Sequence, residues 1–419
     1  MVHFKKPPAV ILIGGGELAL PHVETALKLG CKVFVTDVRD DAPAVKFADG
    51  FLKASGGDST SIVQYARTIN DKYDIVGAYG GADFAVRSAN ALCEYLGKPA
   101  PEAEAVELSF NKFDSKMIWR KNDLPTPRCE KYETAGDLVA AIDNYEIELP
   151  FIIKPLDSCG SQGVRSVLTK EEVYKSFAEA KKFSHVVLAE EIFDGVGIDI
   201  NGIIWNGEFF PQGIAQRFFS SPPFHFPLYG ISPPLALNKN QVDSAYKLLE
   251  EACRLCGLDN TPVKGDFLFG NDEFSILEVS PRFHGDVVTS KLLPYASGTN
   301  PFKNWLSLLM GKNTILNDHR LFSDNRLTIW KALIPLDSKF DYKTVDFWLR
   351  DYLNREGQCY YHEFVFDLRM YEKWKALPSG YTHKDNSSVI GFFWISFENE
   401  LAFTAFESCF NVEFGDFLL

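Results

Sequence analysis

The first hundred residues alternate between apolar strand-like runs and helical stretches, and this alternation limits the fold more than any other feature of the chain. Residues 9–13 (AVILI) run into three glycines, residues 18–29 have helical spacing, and residues 32–37 (KVFVTD) form the next strand-like run. Further strands are predicted at residues 51–52 and 75–79. Strands that alternate with helices form a parallel sheet with helices on both faces. The sequence therefore predicts an α/β chain that begins with a doubly wound parallel sheet.

The turn after the first strand resembles a dinucleotide-binding turn. Gly14, Gly16 and Ala19 match the pattern G-x-G-x-x-A, and Asp37 ends the second strand. A dinucleotide site requires such a turn and an acidic residue about twenty positions later. Any tight strand–helix turn also favours glycine, so the pattern leaves an NAD- or FAD-dependent oxidoreductase open as an alternative.

Length, charge and cysteine content narrow the class of protein. A chain of 419 residues is too long for one hydrophobic core, so about two to four packed units are expected. The net charge of −13 argues against non-specific nucleic-acid binding, which needs a basic surface. With no apolar run long enough to cross a bilayer and no secretory leader pattern, we expect a cytoplasmic protein without a membrane partner. The eight scattered cysteines argue against a disulfide framework.

A strand-end lysine followed by a loop of small residues lies near the middle of the chain. Residues 151–153 (FII) indicate a buried strand, Lys154 lies at its end, and Pro155 should stop it. Residues 158–163 (SCGSQG) follow. An ammonium group and backbone N–H groups can together hold phosphate oxygens. The stretch thus suggests a phosphate-binding loop, and a hairpin turn with a solvated lysine is the alternative.

Two later runs predict a hairpin that carries a pair of carboxylates. Residues 264–269 and 274–280 are strand-like, and residues 270–272 (GND) form the turn between them. In this hairpin Asp266 and Glu278 can lie side by side, an arrangement that destabilises a sheet unless a cation lies between them. Carboxylate oxygens suit Mg²⁺. The pair is therefore a candidate magnesium site, with exposure of both carboxylates to solvent as the alternative.

Other segments carry charged residues in positions that suggest function. A short predicted helix carries Lys116, and an apolar strand runs into Glu190 and Glu191, which suggests a hinge between two lobes. Arg217 lies in a polar break before a proline-rich stretch that should be irregular loop. Arg282 follows the carboxylate hairpin in a loop bounded by proline and glycine. The last hundred residues are rich in aromatic side chains and predict an α+β region with antiparallel strands.

Taken in order, these parts resemble the ATP-grasp carboxylate–amine ligases, a superfamily that includes carbamoyl phosphate synthetase, biotin carboxylase and the L-amino-acid ligases. A doubly wound domain precedes a helix lysine, a strand-end lysine with a Gly/Ser loop, a Glu-Glu hinge, and an E-x-x-P-R hairpin. The resemblance covers residues 9–311 and is strongest over residues 154–164 and 277–286. It implies four domains: an N-terminal pre-ATP-grasp domain (1–110), a small lobe (111–189), a large lobe (190–315) and a C-terminal α+β appendage (316–419).

The resemblance also implies roles for individual residues. Lys116 and Lys154 look like the lysines that grip the ATP phosphates, and Arg282 looks like the catalytic arginine that stabilises charge on an acyl-phosphate. Asp266 and Glu278 resemble the ligands of Mg²⁺, with Mn²⁺ as an alternative metal. The remaining implied ATP contacts are the closing loop (Ser158, Gly160, Ser161, Gln162, Gly163), the adenine hinge (Glu190, Glu191, Ile192, Phe193) and two apolar plates around the ring (Leu268, Leu277).

Two positions depart from the family pattern. Many members have asparagine where Ser280 stands, which puts the second metal contact in doubt. The carboxylate that should bind the ribose falls on Gly197, and Asp199 is its stand-in.

The implied function is an ATP-dependent ligase that joins a small-molecule carboxylate to an amine through an acyl-phosphate. Arg217, His284 and Asp286 are the candidates for the substrate pocket. The aromatic-rich C-terminal region is a candidate homodimer contact. The alternatives are the oxidoreductase and a nucleotide-binding module without catalysis.

Overall fold

The structure, a computed structural model, describes residues 4–158, 160–285, 287–312, 326–336, 340–376, 389–415 and 418–419, without the side chain of Tyr361. Three sheets organise this part of the chain. Among the described helices, none combines the length and apolar character that a membrane span requires.

The N-terminal sheet is parallel, with strand order β3-β2-β1-β4. Its strands are β1 (Pro8–Ile13), β2 (Lys32–Asp37), β3 (Gly50–Lys53) and β4 (Asp74–Gly80), and its helices are α1 (Leu20–Lys28), α2 (Ser59–Asn70) and α3 (Asp83–Tyr95). Successive side chains of a strand point to opposite faces. Val10 and Leu12 accordingly belong to one buried cluster, and Ile11 and Ile13 to another that includes α2. The prediction of a doubly wound parallel sheet is confirmed.

The second sheet is antiparallel, with order β5-β8-β6-β7. Helix α4 (Ala103–Phe110) precedes it. Its elements are α5 (Lys112–Lys121), β5 (Cys129–Tyr132), α6 (Ala135–Asp143), β6 (Phe151–Pro155), β7 (Arg165–Val167), α7 (Val173–Ala180) and β8 (Val187–Glu191). Phe151 and Ile153 are fully buried against α6 and α7 side chains. The strand predicted before Lys154 therefore exists and ends at Pro155.

The third sheet has eight strands in the order β13-β12-β9-β10-β11-β14-β16-β15. Its strands are β9 (Val196–Trp205), β10 (Glu208–Phe219), β11 (Pro227–Ser232), β12 (Thr261–Gly270), β13 (Glu273–Ser280), β14 (Leu327–Leu333), β15 (Cys359–Phe366) and β16 (Gly391–Phe397). The helices around it are α8 (Lys239–Leu255), α9 (Leu293–Ser297), α10 (Pro301–Leu309), α11 (Tyr342–Arg355), α12 (Leu368–Lys375) and α13 (Glu400–Phe414). The C-terminal region thus extends the sheet of the large lobe by three strands. The predicted α/β class with an α+β second half is confirmed.

Two local predictions are wrong at β10 and β11. Arg217 lies within β10, where it pairs with Gly230, and not in a polar break. The proline-rich stretch predicted as loop contains β11. Pro227 begins that strand and Pro233 follows its end, so the residues between them keep the N–H groups that a sheet needs.

Candidate active site

The two lysines predicted to bind phosphate meet at one buried carboxylate. The Nζ atom of Lys154, at the end of β6, is 2.7 and 2.6 Å from the two carboxylate oxygens of Glu190. The Nζ atom of Lys116, on α5, is 3.1 Å from the second of them. All three side chains are buried, with Lys116 fully so. The chain therefore brings together two lysines that are 38 positions apart in sequence (154 − 116).

Burial sets the charge balance of this triad. It lowers the pKa of Lys116 to about 8, although the carboxylate of Glu190 acts in the opposite direction. Burial alone would raise the pKa of Glu190, but the two ammonium groups outweigh it and hold that pKa below its ordinary value. Lys116 also donates to the hydroxyl of Thr126 (2.8 Å) and to the carbonyl of Ile276 on β13 (3.1 Å). Lys116 therefore also ties α5 to β13.

The position of Glu190 changes the prediction made for the hinge. Adjacent residues of a strand point to opposite sides, so the side chain of Glu190 turns inward to the lysines while Glu191 is exposed. Only the backbone of Glu190 is left for the predicted adenine contact. Ile192 and Phe193 follow β8 on its exposed side. Their roles, and those of the half-buried Leu268 and Leu277, stay predictions.

The predicted phosphate loop connects β6 to β7, which pair as an antiparallel hairpin. Gly160, Ser161 and Gly163 have positive φ values of 65°, 60° and 73°. A side chain at Gly163 would meet the backbone of Ala180 at 3.1 Å, so both conformation and space require glycine there. The hairpin alternative is thus geometrically right, but its solvated lysine is not, because the Lys154 side chain is only 10% exposed. Ser158 and Gln162 lie in this loop, and their predicted phosphate contacts stay predictions.

A lysine that the sequence analysis did not single out connects this loop to the carboxylate hairpin. Lys112, at the start of α5, donates to the backbone carbonyl of Ser158 at 2.7 Å. Its Nζ atom is also 3.8 Å from the Glu278 Oε2 atom. The phosphate loop and the carboxylate pair therefore both lie within 4 Å of one ammonium group.

Asp266 and Glu278 are directly paired across β12 and β13, as predicted. They face away from α8, since their strand neighbours Phe267 and Val279 point into the core that contains this helix. The Nζ atom of Lys264 lies between them, 2.8 Å from Asp266 Oδ2 and 2.6 Å from Glu278 Oε1. Two carboxylates that already share one cation are a donor set that fits a divalent metal. The pair is only partly exposed, with 21% of the Asp266 side chain and 26% of the Glu278 side chain open to solvent. Lys264 could have been found from its i, i+2 position on the same strand face as Asp266.

A second group of charges adjoins Asp266 on the neighbouring strand β9. Asp199 is paired with Asp266 across the strands. Arg217 donates to Asp199 Oδ2 from two nitrogens, at 2.8 and 2.5 Å, and His284 Nε2 is 2.5 Å from Asp266 Oδ1. The carboxylate of Asp199 is thus paired with Arg217 beside the predicted metal ligands, and its role in place of the ribose contact missing at Gly197 stays a prediction. The predicted substrate residues Arg217 and His284 come together, whereas Asp286 lies outside the described residues.

The predicted catalytic arginine is held by the N-terminal domain. Arg282 forms a bidentate ion pair with Asp83 at the start of α3, with distances of 2.6 and 2.7 Å. Burial would raise the pKa of Asp83, but Arg282 outweighs it and lowers this pKa to about 2. Asp83 could not be predicted from the sequence, because 199 residues separate it from its partner.

We expect Asp83→Asn to lower the free energy of unfolding by about 2 kcal/mol at pH 7, because the ion pair depresses the Asp83 pKa. A depressed carboxyl pKa adds stability above the unfolded value near 4, and that stability is lost as pH falls toward 2. Urea unfolding at pH 7 and pH 3 measures both effects, and the gap between variant and wild type should shrink at pH 3. Asp71→Asn, at an exposed position, is the control. Equal stability of wild type and Asp83→Asn at pH 7 would contradict the structural role of the pair.

An apolar cavity lies beside this ion pair at the end of the parallel sheet. Its volume is about 160 Å³, and its lining includes Gly14, Leu18, His22, Tyr79 and Phe84. A crevice between neighbouring strands that carry opposite connections is where doubly wound sheets bind ligands. The cavity therefore has room for a small apolar group.

The acidic residue on which the dinucleotide-binding alternative depends, Asp37, is occupied by backbone hydrogen bonds. Asp37 accepts hydrogen bonds from the backbone N–H groups of Gly15 (2.8 Å) and Arg39 (2.9 Å), one on each carboxylate oxygen. This carboxylate holds the glycine turn against β2 and is not directed to a ribose. The structure thus gives the glycine turn a structural reason that needs no NAD or FAD.

Comparison with known proteins agrees with this geometry. A family model described as an ATP-grasp domain matches residues 110–286. D-Alanine–D-alanine ligase of Pseudomonas entomophila is 29% identical over 194 residues, which cover 44% of this chain and 55% of that protein. The chain spans about half the length of the first two curated relatives it matches, 47% and 55%.

Two solved structures share the fold over nearly the whole chain. An L-amino acid ligase from Bacillus licheniformis has a TM-score of 0.71 and 18% identity, covering 98% of both chains. A carboxyaminoimidazole ribonucleotide synthase from Aspergillus clavatus, solved with ATP, has a TM-score of 0.72 and 14% identity, covering 97% of this chain and 98% of that one. The predicted cofactors, ATP and Mg²⁺, occur in solved structures of this fold: ATP in this synthase, and MgADP in a biotin carboxylase domain from Hydrogenobacter thermophilus with a TM-score of 0.69 and 16% identity, covering 95% of this chain and 88% of that one. This chain is therefore similar to the ATP-grasp superfamily, with residues 110–286 matching the ATP-grasp domain model.

Proposed function

We propose that the chain is an ATP-dependent ligase that activates a carboxylate as an acyl-phosphate and couples it to an amine or ammonia, releasing ADP and phosphate. The carboxylate belongs to an amino acid or a small metabolite. The observation that carries the proposal is the position of Lys112, whose ammonium group lies between the phosphate loop at Ser158 and the carboxylate of Glu278. A triphosphate bound by the loop would therefore reach the carboxylate pair.

The cationic and anionic side chains have different proposed roles. Lys154 and Lys116 would bind the phosphates and keep the γ-phosphate in line for transfer, and the loop at residues 156–163 would exclude water. Asp266 and Glu278 would hold Mg²⁺, which offsets phosphate charge when bound. Arg282, fixed by Asp83, would stabilise the charge that develops on the acyl group.

The proposed substrate pocket lies on the β9 side of Asp266, away from Glu278 on β13. Arg217 offers a cation for a substrate carboxylate, and His284 and Asp199 offer polar contacts for an amine. The apolar cavity lined by Leu18 and Phe84 would suit a small apolar side chain of the substrate. A homodimer contact through the C-terminal region stays a prediction.

One assay tests the proposal. The protein is incubated with ATP, MgCl₂ and pooled amino acids, and ADP and phosphate are followed over time. Release that requires both a carboxylate and an amine supports the ligase. Binding of ATP without turnover in any pool would instead favour the nucleotide-binding module, and reduction of an added NAD or FAD would favour the oxidoreductase.

Lys116 gives the proposal a pH dependence. Because its pKa is lowered to about 8, we expect the affinity for ADP to fall about fivefold between pH 8 and pH 9, as the ammonium group loses its proton. Isothermal titration with MgADP measures this change. In Lys116→Met the affinity should be low at both pH values and the fall should disappear. An affinity that stays constant up to pH 9.5 in the wild type would refute the phosphate role of Lys116.

A further inference from the structure

Every carboxylate oxygen of the predicted metal pair already faces a positively charged or proton-donating group. Asp266 Oδ2 and Glu278 Oε1 both accept from Lys264, at 2.8 and 2.6 Å. Asp266 Oδ1 is 2.5 Å from His284 Nε2, and Glu278 Oε2 is 3.8 Å from Lys112 Nζ. A metal ion at this pair must therefore replace contacts that the protein itself supplies.

Lys264 is the strongest of these competitors. Its side chain is 4% exposed and its ammonium group is bound to both carboxylates at once. Charge-assisted hydrogen bonds are roughly twice as strong as neutral ones. A buried ammonium group that loses both partners would also be left uncompensated.

The surrounding charges are balanced without a metal. The ion pairs join four carboxylates and four cationic side chains within this region. These are Asp83, Asp199, Asp266 and Glu278, and Lys112, Lys264, Arg217 and Arg282. A divalent cation that enters alone adds two positive charges beside four others. The negatively charged phosphates of a bound nucleotide can accept hydrogen bonds from the ammonium groups of Lys112 and Lys264.

We propose that Lys264 is a built-in counter-cation that makes metal binding at Asp266 and Glu278 conditional on bound nucleotide. It is a positioning residue for the reaction, since it keeps the two carboxylates oriented toward one point before the metal arrives. The inference rests on the proposed function for the identity of the metal pair. Nucleotide and metal are therefore expected to bind together, and the metal is not expected to bind first.

Binding of Mn²⁺ alone tests the inference without any turnover. Free Mn²⁺ is measured by electron paramagnetic resonance in titrations of wild type and Lys264→Met, each with and without ADP. Without ADP, we expect the wild type to bind Mn²⁺ at least tenfold more weakly than with ADP. Lys264→Met should bind Mn²⁺ without ADP about tenfold more tightly than the wild type, because the competing ammonium is gone. Tight binding to the wild type without ADP, or equal affinities in the two proteins, would overturn the inference.

Two controls keep the outcome clear. Lys247→Met removes an exposed lysine on α8 and should leave Mn²⁺ affinity unchanged. Lys264→Gln, a neutral polar substitution, replaces Lys264→Met if the latter does not show a cooperative thermal transition. ADP binding is measured separately by calorimetry. Failure to bind ADP would count against the proposed function, whereas the nucleotide-free comparison of wild type and Lys264 variant still decides this inference.

Discussion

Replacing Lys154 with alanine is expected to lower ATP turnover by about 1,000-fold while the fold stays intact. The lysine supplies a point charge where the phosphates would bind, and its backbone remains in the centre of the small-lobe sheet. The carboxylate of Glu190 keeps Lys116 as a partner at 3.1 Å, so removal of Lys154 does not strand a buried charge. Phosphate release under saturating ATP and MgCl₂ measures the loss.

Lys170→Ala is the matched control for this variant. Lys170 belongs to the same lobe, but its side chain is 41% exposed and pairs with Asp143 at the surface. It should leave turnover unchanged, because exposed ion pairs contribute little. Near-normal phosphate release by Lys154→Ala, with an unchanged thermal transition, would remove the basis for the phosphate site.

Replacing Glu278 with glutamine should lower turnover by about 100-fold and raise the Mg²⁺ concentration at half-maximal rate by about tenfold or more. The amide keeps the shape of the side chain but removes the charge that a hard divalent cation requires. The effect should therefore be larger at low Mg²⁺ than at high Mg²⁺, and a magnesium titration at fixed ATP separates these two conditions.

Glu273→Gln tests whether any charge on the same strand has this effect. Glu273 begins β13 and is exposed. Its magnesium titration should overlay that of the wild type. If the curves for Glu278→Gln and the wild type also overlay, Glu278 does not bind the metal.

Local patterns were sufficient to predict the elements that carry the site. An apolar run, a proline and small residues placed Lys154 at a strand end before a glycine loop. The turn at residues 270–272 sets the register of the hairpin as far as Phe267 and Ile276, and a one-residue bulge then brings Asp266 opposite Glu278. The hairpin was predictable from the sequence, but this bulge was not. The short helix predicted to carry Lys116 is present as α5.

Contacts between distant segments could not be predicted from these patterns. The partners of Arg282 and Lys116 come from other domains or other strands, and nothing in the local sequence of Asp83 distinguishes it from an ordinary helix-start carboxylate. The inward direction of Glu190 depends on which face of β8 is covered, and two adjacent glutamates give no sign of this. Arg217 was predicted in a polar break because a proline-rich stretch follows it. The prolines of that stretch flank β11 and do not interrupt its middle, so they do not prevent a strand.

The continuous sheet from β13 to β15 also determines which truncated forms of this protein are expected to be soluble. β11 pairs with β10 on one side and with β14 on the other. A truncation after residue 312 would remove β14 and expose the edge of β11 that pairs with it. The N–H and C=O groups along that edge would lose their hydrogen-bond partners. Such edges recruit strands from other molecules. Expression of residues 1–312 alone is therefore expected to yield insoluble material, even though the ATP-grasp motifs are complete in that fragment.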